Sequence, residues 1–129
     1  MQRLSAYIAA APRKSLPANV VERTKHHVLD TIAAMVSGSR LLPGRKGIAY
    51  VKGLGGTKEA CVVGSRILTT AVNAAIANGM CAHADETDDS HAPSVMHPGC
   101  GIVSAALAVA EKESRSGESL LRAVALGYD

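Results

Sequence analysis

Residues 69–111 read TTAVNAAIANGMCAHADETDDSHAPSVMHPGCGIVSAALAVAE, and their pattern decides the fold. Alanine-rich apolar runs stand on either side of a charged window, His83 to His97, which holds three of the chain's five histidines and four of its eleven acids. Ala71, Ala74, Ala75 and Ala77 lead towards Cys81 at helical spacing, with Thr69 placed as the N-cap. Pro98 opens a second alanine-rich helix through Ile102, Ala106, Val109 and Ala110, with Gly117 expected to end it. Pro93 and Pro98 break any helix across the window, which is read as a loop held between two packed helices. No lysine or arginine occurs from Ile67 through Glu111. Burying acids and imidazoles without partners is costly, so the chemistry of the chain is expected in this window.

Outward from the window the pattern stays helical. Leu4 to Ala11 reads as a short helix stopped by Pro12. A longer one follows Pro17, with Val21, Val28, Ile32 and Met35 or Val36 on one face, Leu29 and Ala33 widening it, and Gly38 as its stop. Pro43-Gly44 is expected to open a loop, and Ile48 to Leu54 to form another short helix. Gly53 to Thr57 lacks the spacing of a phosphate-binding loop and reads as a turn, after which Ala60 to Val63 is extended up to Gly64. Ser119 to Gly127 starts a last helix. The expected fold class is all-α: a single alanine-rich helical domain over residues 1–129.

Composition narrows the function. The chain has three tyrosines, no phenylalanine and no tryptophan, so its core rests on small aliphatic residues that bury little area each. Such a core, together with an apolar final helix over Leu120 to Leu126, is expected to need neighbours, and the chain is read as an amino-terminal fragment of something larger. The net charge of +3 is spread without a dense basic run or stacking aromatics, which argues against nucleic-acid binding. Cys61, Cys81 and Cys100 form no C-x-x-C pair, so a reducing, cytoplasmic setting is expected. No segment has the apolar length of a membrane span, and no membrane partner is expected.

Several chemistries fit the window. Amides at Gly99, Cys100 and Gly101, at a helix start, suit an anion, and His97 beside them suits proton transfer near neutral pH. Glu86, Asp88 and Asp89 suit a base or the holding of an imidazole, and Ser90 offers a hydroxyl. Proton abstraction beside a carboxylate with loss of a β-leaving group would use this equipment. Plainer roles are also open: His83 as a cap on the preceding helix, Asp88 and Asp89 as turn caps, His91 on the surface, and Cys100 as packing rather than an activated thiolate. His26-His27 is placed on the polar side of its helix, and the tyrosines carry no signal beyond packing. Asp85-x-x-Asp88-Asp89 is similar to magnesium–diphosphate motifs but has no second motif, and a metallohydrolase set of His83, Asp88 and His91 matches no standard spacing.

The run His83-Ala-Asp85-Glu86-Thr87-Asp88-Asp89-Ser90-His91, followed by His97-Pro98-Gly99, resembles the MmgE/PrpD family, which includes 2-methylcitrate dehydratase, cis-aconitate decarboxylase and iminodisuccinate epimerase. The lead-in to Asn78-Gly79, the helix ending at Glu111, and the early helix carrying Asp30-Thr31 resemble it too. The resemblance implies a large helical domain with a smaller α/β lid, a homodimer in the full-length protein, and metal- and cofactor-free chemistry on a small di- or tricarboxylate. It places His97 at the family's His-Pro histidine, Glu86 where many members have aspartate, Asp88-Asp89 at the paired acids, Ser90 at a threonine or small residue, and His91 at a further histidine. Catalytic roles are thus expected for His97, Glu86, Asp89 and Ser90, and substrate-binding roles for His91, Asp88, Gly99 and Cys100. Family members are far longer, and their site also uses a histidine, lysines and a tyrosine from downstream, so the isolated chain is expected to be nearly inactive. The leading expectation is the amino-terminal part of a 2-methylcitrate dehydratase-like lyase. The alternatives are the family's decarboxylase or epimerase activity, a non-catalytic helical packing fragment, and a metal-dependent hydrolase.

Overall fold

A computed structural model describes residues 1–129. Six helices carry the chain: α1 (Gln2–Ala10), α2 (Ala18–Gly38), α3 (Leu42–Leu54), α4 (Ala71–Ala82), α5 (Pro98–Lys112) and α6 (Gly117–Tyr128). A 3₁₀ turn, Ala11–Arg13, follows α1, and two two-residue strands, β1 (Ala60–Cys61) and β2 (Leu68–Thr69), pair antiparallel between α3 and α4. The mainly helical expectation holds.

Helix α4 lies at the centre and packs on α2, α3 and α5. Its buried residues, Ala71, Ala74, Ala77, Asn78, Cys81 and Ala82, are nearly all small, so neighbouring backbones come close. Gly38 of α2 lies against the Cys81 carbonyl, where a Cβ would collide with backbone. Gly47 of α3 lies under Met80, and Gly79 faces the Cys100 carbonyl, 3.1 Å from where its Cβ would be. Two apolar clusters result. One gathers Val51, Ala60, Val62 and the alanines of α4; the other gathers Met35, Cys81, Val103 and Val124. Polar ties fasten the hairpin to this frame. The Asn78 amide accepts from Val63 N–H at 2.9 Å and donates to Cys61 O at 3.1 Å. Glu59 accepts from Ala71 N–H at 3.0 Å at the start of α4, and this bond, first among its partners, holds the Glu59 carboxyl below its usual range.

Four local expectations shift. Pro43-Gly44 lies inside the first turn of α3, which tolerates a proline lacking N–H, so no loop opens there. Thr70, not Thr69, caps α4 by accepting from Asn73 N–H, while the Thr69 hydroxyl donates to Gly55 O at 2.5 Å. Helix α5 ends before Gly117: Ser114 takes the left-handed conformation (φ 50) that glycine usually fills, and Gly117 begins α6 under a Ser116 cap. On α2 the buried face runs through Thr24, Thr31, Ala34, Met35 and Gly38, leaving Leu29, Ala33 and Val36 exposed. No helix is long and apolar enough to cross a membrane.

The close α2–α4 approach is testable with two alanines. Gly38→Ala is expected to destabilise by about 3 kcal/mol, because neither backbone can yield. Gly53→Ala, on open surface in α3, is expected to stabilise by about 0.5 kcal/mol. Urea melts of both variants check this, and equal midpoints would refute the close-packing account.

Candidate active site

The loop between α4 and α5 starts where α4 runs out of partners. His83 is its C-cap, and His83 and Ala84 N–H groups close on the Gly79 and Cys81 carbonyls. Asp85 Oδ1 accepts from the Thr87 hydroxyl at 2.8 Å, forming a local turn. Glu86 (φ 57) and Val95 (φ 53) both adopt left-handed backbone without being glycine. His91 N–H donates to Met96 O at 2.8 Å, closing the outer end of the loop. Between these turns the adjacent acids Asp88 and Asp89 point into the protein.

Asp88 gathers two imidazoles. Its side chain is fully buried, and its Oδ1 lies 3.1 Å from His83 Nδ1 and 3.1 Å from His97 Nδ1. His97 Nδ1 is also 3.2 Å from the Asp88 carbonyl oxygen. Carboxylate and carbonyl oxygens only accept, so Nδ1 is the donor on both rings, and Nε2 of a neutral ring keeps its lone pair. The rings meet edge to face, with centroids 4.8 Å apart. His97 is half-buried at the start of α5, with its backbone oriented by Pro98.

Asp89 does a different job. Its Oδ1 accepts from Gly99 N–H at 2.8 Å, and its Oδ2 accepts from the Tyr128 hydroxyl at 2.6 Å. His27 Nδ1 of α2 lies 3.5 Å from the same Oδ2, and its ring lies against Tyr128, with centroids 4.4 Å apart. This carboxylate therefore occupies the helix start that the sequence suggested for an external anion: the Gly99 amide is not free. Glycine is needed at 99 because a Cβ would meet Asp89, Thr31 and Tyr128 at once. Burial first, and Asp89 next, pushes the Tyr128 phenol above the ordinary tyrosine range.

The remaining expected residues lie apart. Glu86, Ser90 and His91 are exposed, and none bonds to Asp88 or His97; His91 Nδ1 instead pairs with Ser94 Oγ at 2.6 Å. Cys100 donates to His97 O at 3.1 Å, and burial, then Asp88, raises its thiol, so it is packing rather than an activated thiolate. His97, not His91, completes the group with His83 and Asp88. Beside the Asp89 junction, a groove of about 550 Å³ is lined by Arg23, His26, His27, Asp30 and Asp89. Sequence reading gave His83 only the parts of a helix cap or a metallohydrolase ligand, and gave His27 and Tyr128 no part in the site. His27 had one signal, since Thr24, His27 and Thr31 recur on one face of α2, whereas Tyr128 lies 39 residues from Asp89 with none.

Comparison with known proteins adds to this geometry. The family model described as the MmgE/PrpD N-terminal domain matches residues 2–129. A cis-aconitate decarboxylase-like protein, oryM of Aspergillus oryzae (strain ATCC 42149 / RIB 40), is 27% identical over a 133-residue alignment. That alignment covers 98% of this chain but 28% of the relative, so the chain spans under a third of that protein's length. No solved structure matches the chain.

The Asp89 junction makes two predictions. Asp89→Ala, which strips α5 of its cap and leaves Tyr128 unpaired, is expected to cost about 2–3 kcal/mol, while Glu86→Ala stays within about 0.5 kcal/mol. Because the folded state raises the Tyr128 pKa, the phenol contributes stability fully below about pH 10 and loses it progressively as pH rises further. Urea midpoints measured from pH 9 upward, in units of about one, should therefore fall more steeply for the wild type than for Tyr128→Phe. Parallel curves would refute the buried Tyr128–Asp89 bond.

Proposed function

The chain belongs to the MmgE/PrpD family, and from that premise we propose that it is the amino-terminal part of a lyase acting on a small di- or tricarboxylate. The observation that carries this reading is His97 held by Asp88. A buried carboxylate fixes Nδ1 as the donor and leaves Nε2 of the neutral ring as a base. That nitrogen takes a proton from carbon adjacent to a substrate carboxylate. In a dehydration the C–H electron pair becomes the new double bond, the β C–O bond breaks, and the oxygen leaves with a proton as water. In a decarboxylation the C–C bond to the departing CO₂ breaks, its electron pair stays on the substrate's carbon skeleton, and His97, entering the step as imidazolium, gives its proton to that carbanion. The likeness to a cis-aconitate decarboxylase-like protein supports the second branch.

The acid-rich loop supplies no cation to hold a polyanion, since lysine and arginine are absent from Ile67 through Glu111. The substrate's countercharge is therefore assigned to protein beyond these residues, and Glu86, Ser90 and His91, exposed on the same loop, are assigned to facing it. Val72, Ile76 and Met80 recur every fourth residue along α4 and stay exposed, which supports cover by further protein and, in the complete enzyme, a homodimer.

The test is turnover by the complete reading frame that carries this chain, against 2-methylcitrate, cis-aconitate and iminodisuccinate. His97→Asn is expected to lower kcat by about 100-fold or more, and Asp88→Asn by at least about tenfold. The 129 residues alone are expected to show no turnover. Unchanged kcat in His97→Asn would end the acid–base reading and favour a helical packing module.

A further inference from the structure

Asp88 is a buried carboxyl group with no permanent cation beside it. Its side chain is fully buried, and its only ion-pair partners are His83 and His97, which are cationic only when protonated. No lysine or arginine reaches it, and its buried Oδ2 accepts no well-formed hydrogen bond, with the Cys100 thiol its polar neighbour. Buried carboxylates in proteins are paired with cations or bind metal ions.

We infer that His83, Asp88 and His97 form a binding site for one divalent transition-metal ion, zinc being the best match to the donors. Two imidazoles and a carboxylate are a recurrent zinc set that leaves a fourth position open to water. One donor atom from each residue lies within 4.8 Å of the others, and both Asp88 Oδ1–imidazole separations are 3.1 Å. A tetrahedral ion with bonds of about 2.1 Å places its ligands about 3.4 Å apart, so the two N–O edges need only a small expansion. The donors come from the end of α4, the middle of the loop and the start of α5, so two packed helices hold them. The side chains of His83 and His97 are 43% and 26% exposed, which opens a path from solvent to the buried carboxylate. With both rings neutral, binding releases no proton: each Nδ1–H now donated to Asp88 moves to Nε2 of its own ring, and both Nδ1 lone pairs turn to the metal.

This site goes beyond the lyase reading and stands without it. One consequence does rest on that reading: a bound ion puts hydrogen on His97 Nε2, removes the base, and inhibits turnover. The inference itself is tested on binding alone.

The metal-stripped chain is titrated with zinc by calorimetry and with cobalt by visible absorption. One equivalent is expected, with the intense d–d bands of a four- or five-coordinate nitrogen–oxygen site and no sulfur charge-transfer band. His83→Ala and His97→Ala should each weaken binding by about 100-fold or more, while His91→Ala and Cys100→Ser leave it unchanged. Far-UV melts confirm that each variant is folded. Asp88→Asn keeps the shape of the side chain and should abolish binding, a result that decides the matter if either alanine variant is not folded. No saturable binding, or binding that survives loss of both histidines or follows Cys100, overturns the site.

Discussion

The carboxylate of Asp89 is the contact on which the arrangement of helices around the loop depends. One side chain satisfies an orphan amide at the start of α5, accepts the Tyr128 hydroxyl from α6, and lies beside His27 of α2. Helix starts favour negative charge, so the cap also gains from the dipole of α5. The consecutive helices α5 and α6 and the sequence-remote α2 are thereby fixed at one point. A core of alanines, valines and a methionine sets how close helices come, but slippery small side chains say little about register. A directional polar junction supplies that register.

Adjacent acids on one loop divide the labour. Asp89 builds the frame and Asp88, one residue earlier, faces the histidines. The chain bends at Asp88, and a single Asp-Asp pair serves both directions. Structure and reactivity are thus joined in a dipeptide: anything that shifts the α5 cap also shifts the carboxylate that holds His97. The neutral imidazole keeps its lone pair on Nε2 because a fully buried oxygen, not solvent, decides which nitrogen carries hydrogen.

Much of this was legible in the sequence. Small residues at helical spacing and two prolines placed the loop between α4 and α5, because those signals are local. Helix ends were less legible: Gly117 was the obvious stop, yet Ser114 took the left-handed turn, because Arg115 N–H closes on Ala110 O and repays the conformation. On α2, threonines rather than Leu29 and Val36 face inward, since Thr24 and Thr31 return their hydroxyls to backbone carbonyls of the previous turn and so lose their polarity. The site was half legible. His97 and the acids stood out by composition, but Tyr128 and His27 join through tertiary contacts that no local pattern encodes, and the Gly99 amide looked open until its own chain filled it.

Glu86 and Val95 show what holds the loop in shape. Left-handed backbone costs a residue with a side chain about 1–2 kcal/mol, and a β-branched valine is among the least suited to it. Neither turn would persist by its own preference, so the loop behaves as a bent spring clamped at its centre by the two inward acids. Glycine at either position would relax the spring and firm up the fold while loosening the aim of the histidines. Sequence drift toward greater robustness and the upkeep of this geometry therefore pull against each other at those two residues.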